Sequence, residues 1–194
     1  MVYIVPIVSG HGEVKAVPTL LYRVAGMGSA LRVHEPVFRV HENKFINDFK
    51  YFNDRFEAAA IRAAMNQGMI LIILDCEDDC PAVIGPKLRQ WAKTARSDVT
   101  VLVVLAYREF ETWFVTAAKS LAGHFSWPRN VEPPPDPERI RGAKEWLSRH
   151  MGETYVEVTH QLDFTRRFDL DQARSNPSFD RFYRRIHDFL THAQ

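Results

Sequence analysis

Asp75, Glu77, Asp78 and Asp79 follow directly on the apolar run Met69-Ile70-Leu71-Ile72-Ile73-Leu74. Carboxylates so crowded repel one another, and a bound divalent cation is the usual reason the crowding is tolerated. All-oxygen ligands of this kind suit Mg²⁺ or Mn²⁺, which bind through one or two carboxylates and keep positions for water or phosphate oxygens. A second acidic position, Glu13, follows the turn Ser9-Gly10-His11-Gly12. A third group, Arg108, Glu109 and Glu111, follows the apolar run 99–105. There Glu109 or Glu111 would add a metal ligand and Arg108 would clamp phosphate. The alternative is a pair of acids favoured by a helix N-terminus, with Arg108 as their partner. Gly10, His11 and Gly12 would cradle a phosphate with backbone N–H groups, or simply form a tight turn. Histidine as a residue type exchanges protons near neutrality, so position 11, held by His11, suits a general base, a phosphate contact or a hydrogen-bonded turn residue. Lys144 is a further phosphate ligand if its helix reaches the same place.

These residues need elements that gather them at one edge. The run 69–74 is β-branched and too short for an ordinary helix, so it reads as a buried strand of a parallel sheet. Similar runs at 2–8, 37–40 and 99–105 complete a set of four strands. Helices are expected at 13–24, 47–67, 86–95 and 108–121, the second with Phe49, Phe52, Phe56, Ala59, Ala60 and Ala63 on one stripe. Pro18 fits only in a first turn. Strands alternating with helices imply right-handed crossovers, hence an α/β fold with a four-stranded, mainly parallel, Rossmann-like sheet flanked by helices. In such sheets ligands bind outside the carboxyl ends of the strands, and adjacent first and third strands would bring Glu13 and Asp75 together. The chain divides into an α/β domain, 1–124, a Pro-rich linker or loop, 125–137, and a helical C-terminal extension, 138–194. The extension carries helices at 138–150, capped by Asp136, and at 178–191. Residues 152–171 follow no single pattern.

Composition sets further bounds. Hydrophobic residues make up 46% and charged residues 25% of the 194, with a formal charge of +1, which is ordinary for a globular protein and argues against a broadly basic nucleic-acid coat. No stretch approaches the roughly 18 apolar residues of a membrane span, and the N-terminus carries no basic leader. Cys76 and Cys80 are too close for an unstrained disulfide, so a reducing cytoplasm is expected. Two cysteines also fall short of a structural zinc site. The C-terminal segment interleaves Phe164, Phe168, Phe179, Phe182 and Tyr183 with Arg166, Arg167, Arg181, Arg184 and Arg185. Such a pattern either stacks bases and tracks a backbone or is an amphipathic helix with its arginines in water. Trp91, Trp113 and Trp146 are simplest as core residues. No phosphate-binding Gly-Lys-Ser/Thr loop, dinucleotide fingerprint or serine-hydrolase elbow is present.

A short strand, a Gly-containing turn with a glutamate, and a later strand ending in Asp-x-acid together resemble the Toprim domain of topoisomerases, bacterial primases and OLD-type nucleases. In nuclease-like members the first motif reads Val-Glu-Gly-x-x-Glu. Here it is Val8-Ser9-Gly10-His11-Gly12-Glu13: Glu13 matches the second glutamate, and Ser9 replaces the first. Asp75-Cys76-Glu77 resembles the second motif, with a glutamate for its second aspartate. This likeness covers residues 1–120. The whole chain is also similar to a small bacterial family of unknown function grouped with Toprim-like proteins. It shares stretches like Gly10-His11-Gly12-Glu13, Asp78-Asp79-Cys80-Pro81, Arg108-Glu109-Phe110-Glu111 and Ser178-Phe179-Asp180-Arg181. The resemblance implies Mg²⁺- or Mn²⁺-dependent phosphodiester cleavage by Glu13, Asp75 and Glu77. The metal would be held by Glu13, Asp75, Glu77, Asp79 and Glu111, and nucleic acid would be the substrate. It also implies an ATPase partner in bacterial defence or DNA repair. A serine hydroxyl neither acts as a base near neutrality nor offers charge to a metal. The alternative is therefore a catalytically degenerate Toprim-like module for binding metal, phosphate or protein. A receiver-like phosphoacceptor ranks last, because receivers carry paired acids after strand one and Glu13 stands alone.

Overall fold

Strand β1 (Val2–Val8) is buried along its whole length. In the computed structural model, which describes residues 1–124 and 127–192, it is followed by β2 (Leu31–Val33), β3 (Phe38–Arg39), β4 (Met69–Asp75) and β5 (Thr100–Ala106). All pairings are parallel, in the order β2-β1-β4-β5, with β3 also on β1. The register runs Ile4↔Met69 to Val8↔Ile73 and Met69↔Thr100 to Asp75↔Ala106. The expected first and third strands are therefore neighbours.

Five strands form where four were expected, and Pro6 supplies a reason. Even-numbered residues of β1 bond outward: Val2 N–H donates to Ala30, and Ile4 and Val8 accept from His34 and Val40. Pro6 falls on that same side without an N–H, so the ladder is interrupted there. The neighbouring chain pairs only at residues 2–4 and again at 7–8.

Side chains alternate between two cores. Val2, Ile4, Val8, Met69, Leu71 and Ile73 face one; Tyr3, Val5, Ile7, Ile70, Ile72 and Leu74 face the other. Helix α1 (Glu13–Ala25) packs on the first face. Helices α2 (Glu42–Asn47), α3 (Phe49–Met65) and α4 (Pro81–Ala95) cover the second. The helix expected over 47–67 is α3, which starts at Phe49 because Asp48 is extended and its carboxylate caps Tyr51 N–H at 3.0 Å; the short α2 before it was not expected. Helix α4 starts five residues early, with Pro81 in the first turn and Pro86 inside.

The helix expected over 108–121 is reduced to α5 (Thr112–Thr116) and α6 (Ala118–Leu121). Residues 107–111 instead serve as a loop clamped to β4. The Arg108 carbonyl accepts from Cys76 and Glu77 at 3.0 and 2.9 Å, and Phe110 N–H donates to Asp75 Oδ1 at 2.7 Å. Beyond the proline stretch lie a 3₁₀ turn, Pro137–Arg139, and helix α7 (Ala143–Met151). Gly142, at φ +77°, breaks the one helix expected there. Asp136 does not cap; it pairs with Arg139 at 2.9 Å. A π-helical turn at Glu157–Gln161 leads into α8 (Leu162–Arg167), followed by α9 (Leu170–Ala173) and α10 (Pro177–His192).

Phe164, Phe168, Phe179, Phe182 and Ile186 are fully buried in the same core as α1 and the sheet. Arg23 of α1 donates to the Thr165 carbonyl at 2.7 Å. Those phenylalanines are thus unable to stack on bases, while Arg166 and Arg184 pair with Asp163 and Asp180. Trp113 and Trp146 are buried, and Trp91 packs partly buried against the other core. Among the described residues no helix is long and apolar enough to cross a membrane. Both cysteines are free, Cys76 buried and Cys80 exposed.

Candidate functional site

The carboxyl ends of β1 and β4 open onto a polar cavity of about 290 Å³. Six carboxylates line it, from Glu13, Glu42, Asp75, Glu77, Glu111 and Glu157, with Arg39, His41, Lys144, Ser9, Gly10 and Gln161. Glu13 and Glu111 are 2% and 1% exposed. Packing forces this arrangement: Val14 to Leu21 fix α1 on the sheet, and buried Phe110, Trp113 and Phe114 hold the loop that carries Glu111.

Each buried acid has its own partners. Glu13 Oε2 accepts from the Ser9 and Gly10 N–H groups at 3.2 and 3.1 Å. Asp75 accepts from Phe110. Glu111 Oε1 accepts from Tyr155 Oη and Gln161 Nε2, both at 3.1 Å. Lys144 is ion-paired with Glu157. Gln161, 1% exposed, spends its amide N–H on Glu111, and its Oε1 is left without a partner. Gly12 is required at its position, since an added Cβ would collide with that Oε1 and approach the Glu157 carbonyl to 2.8 Å.

Desolvation dominates the electrostatics. Burial, reinforced by Glu111 and Glu157 and opposed by the two N–H bonds, pushes the Glu13 carboxyl from 4.5 up to about 8. Burial raises Asp75 well above the ordinary range, with Glu13, Glu111 and Glu42 adding to it. Glu111 is raised by burial to about 7 even though Lys144 opposes the rise. Glu42 also reaches about 7, through burial and Glu77, against a hydrogen bond from the Ser9 hydroxyl. Burial disfavours the Lys144 ammonium, but Glu111 and Glu157 outweigh that and hold it charged. The confined carboxyls therefore keep protons towards neutral pH that freely solvated acids would release.

The sequence matches the family described as "Domain of unknown function (DUF4276)" over residues 8–187. The chain belongs to this family. No curated protein and no solved structure matches it.

In this DUF4276 protein the expected site residues do not all meet. Glu13, Asp75, Glu111, Gly10 and Lys144 meet in the cavity, and exposed Glu77 stands at its edge with φ +28°. Asp79 borders a neighbouring groove of about 310 Å³ with Tyr107, Ser178 and Arg181. Arg108 pairs with Asp78, which Arg141 also reaches at 2.9 Å, so it does not face the cavity. Glu109 caps α7, accepting from Ala143 N–H at 3.2 Å. Of the two acids left open in that loop, Glu111 is the one that enters.

The phosphate cradle of Gly10, His11 and Gly12 needs correction. The Ser9 and Gly10 N–H groups are taken by Glu13, His11 is exposed outside the cavity, and Gly12 packs on Gln161. Glu42, Glu157, Gln161 and Tyr155 belong to the site and were not singled out from the sequence. Among the described residues, no three His, Cys, Asp or Glu side chains converge tightly enough to enclose an ion as they stand. Glu13, Asp75, Glu111 and Glu157 are each turned to the partner named above.

Proposed function

We propose that this chain is a Toprim-like, Mg²⁺-dependent protein that cleaves nucleic-acid phosphodiesters, with Mn²⁺ able to replace Mg²⁺. We also propose that it works in the bacterial cytoplasm with an ATPase partner, in defence or DNA repair. The observation that carries this reading is the convergence of Glu13, Asp75 and Glu111 on one cavity at the carboxyl edge of a parallel sheet. Glu13 and Glu111 are buried there and Asp75 partly buried, against their electrostatic interest.

The residues fit a hard divalent cation. The donors are all oxygen, and a divalent cation would take the place of the protons that Glu13, Asp75 and Glu111 otherwise retain. Asp75, Glu13 and Glu111 would hold the ion, with Glu77 at the rim. A bound divalent cation supplies an acidified water and polarises the phosphodiester. The protein's own part is positional. Lys144, kept protonated by Glu111 and Glu157, offers a fixed positive charge to a phosphate oxygen. Tyr155 and Gln161 hold the Glu111 carboxyl in one orientation, and Phe110 N–H does the same for Asp75.

The test is cleavage of supercoiled and linear DNA and of RNA by the purified chain with Mg²⁺ or Mn²⁺, alone and with an ATPase encoded beside it. Cleavage is expected in the wild type and lost in Asp75→Ala. Equal cleavage by Asp75→Ala would refute the site. Ser9, a hydroxyl where a charged base would help most, favours one second reading: a binding module without turnover. Metal binding without cleavage of any substrate would select it.

A further inference from the structure

The turn between β4 and α4 carries both cysteines of the chain. It folds back on itself: Asp79 N–H donates to the Cys76 carbonyl at 2.7 Å, with Glu77 at φ +28° inside the loop. The Cys76 thiol donates in turn to the Asp79 carbonyl at 3.3 Å. That carbonyl belongs to the peptide bond of Cys80, so standard bond lengths put the Cys76 sulfur within about 6 Å of the Cys80 nitrogen. Cys76 is only 3% exposed and shares its core with Ile84 and Leu88. Cys80 is exposed and lines the groove of about 310 Å³ with Pro81, Tyr107 and Arg181. One thiol is thus open to small oxidants, and the other is shielded beside it. A disulfide over so short a span is strained, which makes it readily reduced rather than structural.

We propose that Cys76 and Cys80 are a reversible thiol pair, oxidised by hydrogen peroxide to a disulfide and reduced again by a dithiol. The Cys80 sulfur attacks one peroxide oxygen; the O–O bond breaks, water leaves with the thiol proton, and Cys80 becomes a sulfenic acid. The Cys76 sulfur, already beside the Cys80 backbone, then attacks the Cys80 sulfur. The S–O bond breaks, the S–S bond forms, and a second water carries off the Cys76 proton. Two thiols are oxidised and one peroxide is reduced to two waters. A dithiol returns both thiols and is itself oxidised to its disulfide. The turn that closes this bond also holds Glu77 at the rim of the acidic cavity and Asp78 against Arg108 and Arg141. Its Cys76 and Glu77 N–H groups bind the Arg108 carbonyl, so oxidation is passed to the loop that carries Glu111. The pair stands whether or not the cavity takes a metal.

The experiment treats the reduced full-length chain with a several-fold excess of hydrogen peroxide, with dimedone present to trap sulfenic acid. Remaining thiols are then blocked with iodoacetamide in denaturant, and the intact protein and the peptide holding both cysteines are weighed. Wild type is expected to lose about 2 Da, to take neither reagent, and to recover both alkylation sites after dithiothreitol. Cys76→Ser is expected to stop at the sulfenic acid and carry dimedone on Cys80. Cys80→Ser is expected to keep Cys76 reduced, as a buried thiol should be. Two alkylated thiols in the oxidised wild type, a lasting dimedone adduct on its Cys80, or a disulfide between two chains each overturns the proposal. Should Cys76→Ser fail to fold, the wild-type result decides alone.

Discussion

Glu13→Gln is the most informative single change, because it separates electrostatic cost from packing. In the unfolded chain Glu13 ionises near 4.5; in the folded protein burial and the neighbouring acids hold it protonated up to about 8. A raised carboxyl pKa means that the folded state binds the extra proton. Its contribution is therefore fully present below pH 4.5 and is lost as pH rises towards 8. At about 1.4 kcal/mol per pH unit the ceiling on this loss is about 5 kcal/mol, and water entry and shared titration with Asp75 and Glu111 bring it to about 2–3 kcal/mol. Glutamine has nearly the same shape, still accepts from Ser9 and Gly10, and does not titrate. The assay is urea unfolding of the metal-free protein at intervals from pH 5 to pH 8.5. Wild type is expected to lose stability across that range, and Glu13→Gln to lose about 2–3 kcal/mol less, the two converging near pH 5. Parallel curves would refute the reasoning, since they would mean that Glu13 is ionised and solvated in the folded state.

Added Mn²⁺ should stabilise the wild type more at pH 8 than at pH 6, because the cation must displace protons from Glu13, Asp75 and Glu111; a shift in melting temperature independent of pH would contradict this. Gly12→Ala should cost about 1–3 kcal/mol, about 2–4 °C of melting temperature per kcal/mol, by forcing Gln161 and Glu157 away. Lys144→Met should cost about 1–2 kcal/mol at pH 8 and less at pH 6, because Glu111 and Glu157 lose their cation while the pair is only partly buried; equal loss at both pH values would argue for packing alone. Phe182→Ala, emptying a site stacked on Trp113 at 5.6 Å, should cost about 3–5 kcal/mol in thermal unfolding.

The positions of Glu13 and Asp75 were legible because they follow apolar runs that are buried on both faces and have no alternative to a central parallel strand. The loop 107–111 was not legible as a loop. Its sequence suits a helix, but its backbone is committed to Asp75 and to Cys76 and Glu77, thirty residues away and invisible to local periodicity. The phosphate cradle failed for a related reason: composition shows N–H donors at Ser9 and Gly10, but not that a side chain three or four residues later occupies them. The strand expected at 37–40 is β3, but nothing in the local sequence shows that Glu42, just beyond it, lines the cavity; β2 was missed because a three-residue strand carries no pattern. Glu157 and Gln161 were missed because a π turn has neither period 2 nor period 3.6. Glu111 and Gln161 bond across fifty positions, which only the folded chain reveals.

That long-range closure says what the C-terminal segment does for the acids. Lys144, Tyr155, Glu157 and Gln161 all come from beyond the proline stretch and wall in Glu13, Asp75 and Glu111. Without that wall the three carboxyls would face water and ionise freely, at no cost to folding. The wall is held by an apolar core shared with α1 and the sheet, through Phe164, Phe168, Phe179 and Phe182. Hydrophobic burial on one side of the sheet thus offsets the cost of confining carboxyls at its edge, where they keep protons towards neutral pH. Stability alone would have been served by amides at those positions, as Glu13→Gln tests. Acids kept where they weaken the fold are what the proposed cation-binding centre calls for.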